Sequence, residues 1–334
     1  MRIPAVVFLL ALLPGAALAN DSTAELANGG LVFTRSPDVE MRSEELFISA
    51  DEIRVGYVFF NGSGRDVTSL VAFPMPDIRI ESDSDNIAVP TEDPENLLGF
   101  TTVVDGRPVS ARIEQKVYAK GVEHTALLKR LGVPLAPHLR ATQEALDRVP
   151  RPEWDELVRL GLAEIVEYDD TGAGMKQHLA PRWLLKTTCY WQQTFPAGRE
   201  TRIEHRYRPS VGQSVGTSLG SPGAAKEDWF RDYERKYCLD RDVLAAVDRA
   251  KRAAPGSYAA PFSEQRIDYV LRTGANWAGP IRDFRLVVDK GQPTNLVSFC
   301  GTNVRKIGPT RFEMRKSDFT PTADLHVLIL GKPP

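Results

Sequence analysis

From Leu31 to Tyr118 strand-like segments follow one another with no helical segment between them. That succession argues against a doubly wound parallel sheet, whose strands are joined by helical crossovers. In Ile53-Arg-Val-Gly-Tyr-Val-Phe-Phe60, strand alternation puts Ile53, Val55, Tyr57 and Phe59 on one face. Asn61-Gly62-Ser63-Gly64 then supplies turn chemistry, because Asn and Gly tolerate positive φ. Val67 to Phe73 is apolar on both faces and is stopped by Pro74 and Pro76. Phe100–Val104 and Val109–Tyr118 flank Asp105-Gly106, the strongest hairpin signal in the chain. The pattern predicts a mainly β (α+β) protein with an antiparallel β-sandwich-like core.

The character changes after Gly121. Val122–Leu131 reads as a helix closed by Gly132, and Pro137–Val149 carries apolar residues near a helical period. Pro152, followed by Glu153, Asp155 and Glu156, has the pattern of a helix start. That helix is expected to run to about Ile165 and to bury Trp154, Leu157, Val158 and Ile165. Residues 122–166 are thus read as an inserted helical subdomain. Strands return at Trp183–Phe195 and Glu200–Arg208. In the second, Thr201, Ile203, His205 and Tyr207 alternate with charged neighbours. Val211–Gly223 reads as a Gly/Ser loop, and residues 226–252 as two surface helices, the second capped by Asp240. From Gln265 the chain is β again. Residues 20–334 are expected to form a single large β-rich domain.

Residues 1–19 read as a cleaved signal peptide. Arg2 is the positive start, Ile3–Leu13 is an apolar run too short to span a bilayer, and Ala17-Leu18-Ala19 fits the small-x-small cleavage rule. The expected location is the periplasm or beyond, with no transmembrane segment left after cleavage. An oxidising compartment gives the three cysteines a meaning. Cys189 shares a strand face with Trp183, Leu185 and Trp191, which reads as a buried thiol. Cys238 and Cys300 lie beside element ends, where the backbone can meet disulfide geometry, and are the expected pair. The rival pairing joins Cys189 to Cys238. A formal net charge of −2 with interspersed signs argues against a nucleic-acid partner.

Catalytic motifs are weak. Gly212-Gln-Ser-Val-Gly216 matches the nucleophile elbow in letters, but a loop rather than a helix follows it. Ser84-Asp85-Asn86 resembles one element of penicillin-binding enzymes, yet no S-x-x-K accompanies it. Glu81–Asn86 alternates carboxylates as a calcium loop does, without the glycine and closing glutamate of an EF-hand. The five histidines are far apart, so spacing implies no metal site. No phosphate-binding glycine loop or Cys-x-x-Cys occurs, and no cofactor or catalytic residue is assigned. The ligand-binding candidates are Asn276 and Trp277 in Arg272-Thr-Gly-Ala-Asn-Trp-Ala-Gly-Pro280. A Trp in such a loop beside an Asn is suited to stacking on a sugar or gripping a peptide.

Several segments together resemble one family. They are Asn20-Asp-Ser22, Gly29-Gly-Leu-Val-Phe33, Met41-Arg-Ser-Glu44, Phe73-Pro-Met-Pro-Asp77, Thr194-Phe-Pro-Ala-Gly198, His205-Arg-Tyr-Arg-Pro209, Thr273–Ile281 and Val287-Val-Asp-Lys-Gly291. The chain is similar over nearly its whole mature length to secreted bacterial proteins catalogued as a domain of unknown function. The resemblance implies export and a β-rich domain, and carries over no activity. Two functions follow from the residues. The first is a non-catalytic binding or envelope-associated module whose partner is an envelope protein or glycan. The second is a cell-envelope hydrolase using a carboxylate pair, which leaves little linear signature.

Overall fold

A computed structural model describes residues 20–27, 30–80, 86–169, 172 and 174–332. The expected signal peptide and most of the calcium-like segment, residues 81–85, lie outside the described residues. The chain is predominantly β. One sheet has eight strands in the order Arg305–Lys306, Arg311–Phe319, Ile281–Asp289, Val39–Ile48, Ile53–Asn61, Glu200–Tyr207, Thr101–Val104, Arg107–Val109. A seven-stranded sheet runs Val122–Glu123, Arg112–Ala119, Leu184–Phe195, Val67–Pro74, Ser22–Ala27, Gly30–Thr34, with Ile78–Arg79 also on Leu184–Phe195. A five-stranded sheet is built around Leu325–Gly331 and Ser263–Tyr269. Every strand pair among the described residues is antiparallel except Val39–Ile48 with Ile281–Asp289.

Side-chain alternation accounts for the core. Ile53, Val55, Tyr57 and Phe59 point inward from one strand, and Thr201, Ile203, His205 and Tyr207 from its neighbour. The seven-stranded sheet answers with Phe73, Trp191 and Phe195. Aromatic contacts bridge the two layers, with Phe59–Phe195 centroids at 5.6 Å and Phe73–Tyr207 at 5.8 Å. Asp105 (φ 47) and Gly106 (φ 78) form the expected tight turn, both in the left-handed region, but its return strand is only Arg107–Val109, and Arg112–Ala119 leaves to pair with Leu184–Phe195 in the other sheet.

Helices occupy Thr125–Arg130, Arg140–Leu146, Arg151–Leu160, Asp228–Tyr237 and Arg241–Ala253. The helix expected to reach Ile165 stops at Leu160, because Gly161 turns left-handed (φ 77) and ends it. Ala163–Tyr168 instead pairs with Lys176–Pro181 as a strand. Trp154 and Leu157 are buried as expected, whereas Val158 and Ile165 lie at the surface. Val122–Glu123 is a strand rather than the start of a helix, and Val211–Ser214, expected as loop, pairs with Ser263–Tyr269. Asp240 caps its helix by accepting from the Val243 amide at 2.8 Å.

Cys238 and Cys300 form a disulfide with α-carbons 5.0 Å apart. It ties the end of the Asp228–Tyr237 helix, where Cys238 itself turns left-handed, to the chain just past Leu296–Phe299. Cys189 is free and buried, and burial pushes its thiol up to about 12. Among the described residues no helix is long and apolar enough to cross a membrane.

Candidate functional site

A bulge organises the polar centre of the molecule. Val39 and Met41 face the core, the register shifts between Met41 and Ser43, and the parity of the strand then reverses. Glu44 takes the inward face with Leu46 and Ile48 and is fully buried. It stands directly opposite Tyr57 on the adjoining strand. One row further, His205 stands opposite Thr102.

Asn20 and Asp21 enter between these residues, and both are fully buried. Asn20 Nδ2 donates to Glu44 Oε2 at 3.0 Å, and Asn20 Oδ1 accepts from the Tyr57 hydroxyl and from the Asp21 amide. Tyr57 and Tyr269 bring their hydroxyls within 3.3 Å, so the five-stranded sheet reaches the same cluster. Asp21 Oδ1 lies 3.0 Å from His205 Nε2, and His205 Nδ1 is hydrogen-bonded to Thr102 Oγ1. Phe100, Phe73 and Trp191 wall the imidazole, with centroids 4.9, 5.0 and 5.2 Å away. Among the described residues, Glu44 Oε1 and Asp21 Oδ2 have no hydrogen-bond partner.

Burial pushes the Glu44 carboxyl up to about 8; the Asn20 hydrogen bond opposes this and nearby Asp21 adds to it. Burial likewise raises Asp21, against the opposing influence of His205. The fold therefore favours neutral Glu44. Its contribution is complete below the ordinary carboxyl range, near 4.5, and is lost as pH rises towards about 8. In a chain that continues N-terminally past Asn20, the urea midpoint is expected to fall between pH 5 and 8, and Glu44→Gln to flatten that fall. An unchanged slope in the variant would remove Glu44 as its cause.

The open feature lies on the opposite, outward face of the eight-stranded sheet. It is a trough of about 740 Å³. Arg54, Arg202, Arg206, Arg285 and Arg311 project along it, with Glu45, Glu204 and Phe47. Its floor is Gly56, where an added Cβ would meet nothing within 4 Å. Strand register places Glu45 and Glu204 directly on either side of Gly56. Rim carboxylates pair with three of the guanidinium groups. Glu52 lies 2.9 Å from Arg54 and 3.1 Å from Arg206, and Asp289 lies 2.9 Å from Arg311. The Arg54 guanidinium also stacks 4.5 Å over the Phe47 ring.

Asn276 and Trp277 do not line the trough. Trp277 is buried, packs 4.4 Å from Phe59, and donates from Nε1 to the Asp21 carbonyl at 2.7 Å. Asn276 Nδ2 donates to Ser22 Oγ at 2.9 Å. The segment these two residues grip is this chain's own Asp21–Ser22. Ser214, of the nucleophile-elbow letters, ends a strand and donates to the Gly216 carbonyl at 2.7 Å. Among the described residues no group of three or more His, Cys, Asp or Glu side chains is placed to hold a metal ion.

The sequence profile of a family described as "Domain of unknown function (DUF4424)" matches residues 19–328. The chain belongs to the DUF4424 family. Both the buried cluster and the trough fall inside the region that defines it. No curated protein matches the chain in sequence. Among solved structures, a "putative nutrient binding protein" from Legionella pneumophila is similar at a TM-score of 0.44 and 16% identity, over 94% of this chain and 70% of that chain.

Proposed function

We propose that this chain is exported, matures by cleavage after Ala19, and acts in the periplasm as a non-catalytic module that binds an anionic envelope glycan. The observation that carries the binding reading is the arginine-lined trough on the outer sheet face. Guanidinium groups recognise carboxylates through paired hydrogen bonds, and rigid strands hold them at fixed spacing. Phe47 offers an apolar surface for a sugar face. Export is supported by the leader pattern, and the Cys238–Cys300 disulfide suits an oxidising compartment.

The test is titration with tetragalacturonic acid against its neutral galactose counterpart. Binding is expected for the acid only and to weaken with salt. Arg202→Glu with Arg206→Glu should weaken it about tenfold or more, the scale of losing charged hydrogen bonds. Gly56→Phe should block it while leaving the unfolding midpoint unchanged, since the space above Gly56 is open. Equal affinity of the double-reversal variant would overturn the assignment.

A second reading, hydrolysis, has one observation in its favour. Glu45 and Glu204 sit one strand to either side of Gly56, so their α-carbons are about 10 Å apart by ordinary strand spacing. Carboxylate pairs in glycoside hydrolases likewise flank the bond they cut. A binding module leaves the tetrasaccharide intact after prolonged incubation. Cleavage that Glu45→Gln and Glu204→Gln each abolish would establish the hydrolase instead.

A further inference from the structure

We propose that the α-ammonium created at Asn20 when the Ala19–Asn20 peptide bond is cut is the cation for which the buried acid cluster is built, and that it pairs with Glu44 and Asp21 to lock the fold. The inference rests on the export reading for the cut itself. The structural case rests on where Asn20 sits.

Asn20 is held by both its side chain and its carbonyl. Its side chain bonds Glu44, Tyr57 and the Asp21 amide, and its carbonyl accepts from Thr273 Oγ1 at 2.6 Å. Gly274 is the residue that permits this seat: a Cβ there would lie 2.7 Å from Asn20 Nδ2. A residue at the very start of a mature chain is normally frayed, because nothing precedes it to hold it in place. Here that residue is completely buried.

Among the described residues no Lys or Arg enters the cluster around it. Glu44 and Asp21 are adjacent carboxylates with no solvent exposure, and neither is bonded to a Lys or Arg among the described residues. The groups facing Glu44 are Asn20, Tyr57 and Tyr269, with Asp21 beyond. His205 is engaged by Asp21 Oδ1 and Thr102. Glu44 Oε1 and Asp21 Oδ2, one from each acid, have no partner among the described residues. Buried carboxyl oxygens without partners are costly, and an ammonium at Asn20, with three donors, is chemically suited to both. An uncut chain offers only one amide N–H at that position.

The chemistry is a hydrolysis. A leader-cleaving endopeptidase adds water across the Ala19–Asn20 amide. The carboxylate leaves with residues 1–19, and the amine stays on Asn20 and takes up a proton. The cut then acts as a switch. The leader-bearing chain has an unsatisfied acid centre, and the cut chain fills it from within, with no new ligand.

The test compares protein recovered from the periplasm with a chain carrying one extra Ala before Asn20. N-terminal sequencing fixes the cut. Reductive methylation with formaldehyde at neutral pH then reads the α-amine. It is expected to react at least about tenfold more slowly in folded protein than in urea, as a paired and buried amine must. The Ala extension should lower the melting midpoint by about 5 °C or more, and Glu44→Gln should remove most of that difference. An effect of Ala that persists in Glu44→Gln is steric and overturns the pairing, as does an α-amine equally reactive in both states. A protein that keeps its leader fails the export reading; one cut at Asn20 with a reactive amine fails this inference alone.

Discussion

Replacing His205 by Ala is expected to destabilise the protein by about 3–5 kcal/mol, the range for truncating a large buried side chain whose hydrogen-bond partner is left buried. His205 and Asp21 are both shut off from solvent, and among the described residues their contact at 3.0 Å is the one hydrogen bond that Asp21 Oδ1 makes. Ala removes that donor and leaves a hole among Phe73, Phe100 and Trp191. Thr102→Val keeps the shape and removes one hydrogen bond, so a smaller loss of about 1–2 kcal/mol follows. Urea unfolding followed by tryptophan fluorescence measures both. If His205→Ala stays within about 1 kcal/mol of the parent, the pair is not a stability element.

Much of the scaffold of this centre is legible in the chain. Alternation alone puts Tyr57 and His205 on inward faces, and Asp105-Gly106 marks the turn that pairs Thr101–Val104 with Arg107–Val109. Cys238 and Cys300 are recoverable because element ends leave the backbone free to meet. The acids are another matter. Glu44 faces inward only because a bulge shifts the register two residues earlier, and a bulge leaves no mark in a hydrophobic pattern. Asn20-Asp21-Ser22 is polar throughout and reads as a solvated chain start. Its partners Tyr57, His205 and Thr273 are remote in sequence, so nothing local announces burial. The parallel pairing of Val39–Ile48 with Ile281–Asp289 is hidden for the same reason. The trough is a property of that pairing, since Arg285 and Glu45 become neighbours only across it.

Trp277 shows how a residue noticed for one reason serves another. An unusual Trp-Asn pair in a Gly/Pro loop suggests recognition, and in the fold the recognised object is the first strand of the chain itself. Trp277→Ala is expected to cost about 3–5 kcal/mol, as for other buried aromatic truncations. The loss combines contacts with Phe59 at 4.4 Å and Phe195 at 5.7 Å with a buried Asp21 carbonyl deprived of its donor at 2.7 Å. Trp277→Phe separates the two effects: most of the packing returns, the donor does not, and about 1–3 kcal/mol should remain lost. Asn276→Ala removes one half-buried hydrogen bond to Ser22 and should cost about 1 kcal/mol. None of the three should change the affinity of the trough for an anionic glycan at a temperature where the variant is folded, because both residues face the opposite side of the eight-stranded sheet. A variant at Asn276 that keeps its stability and loses glycan binding would move the binding site to this loop.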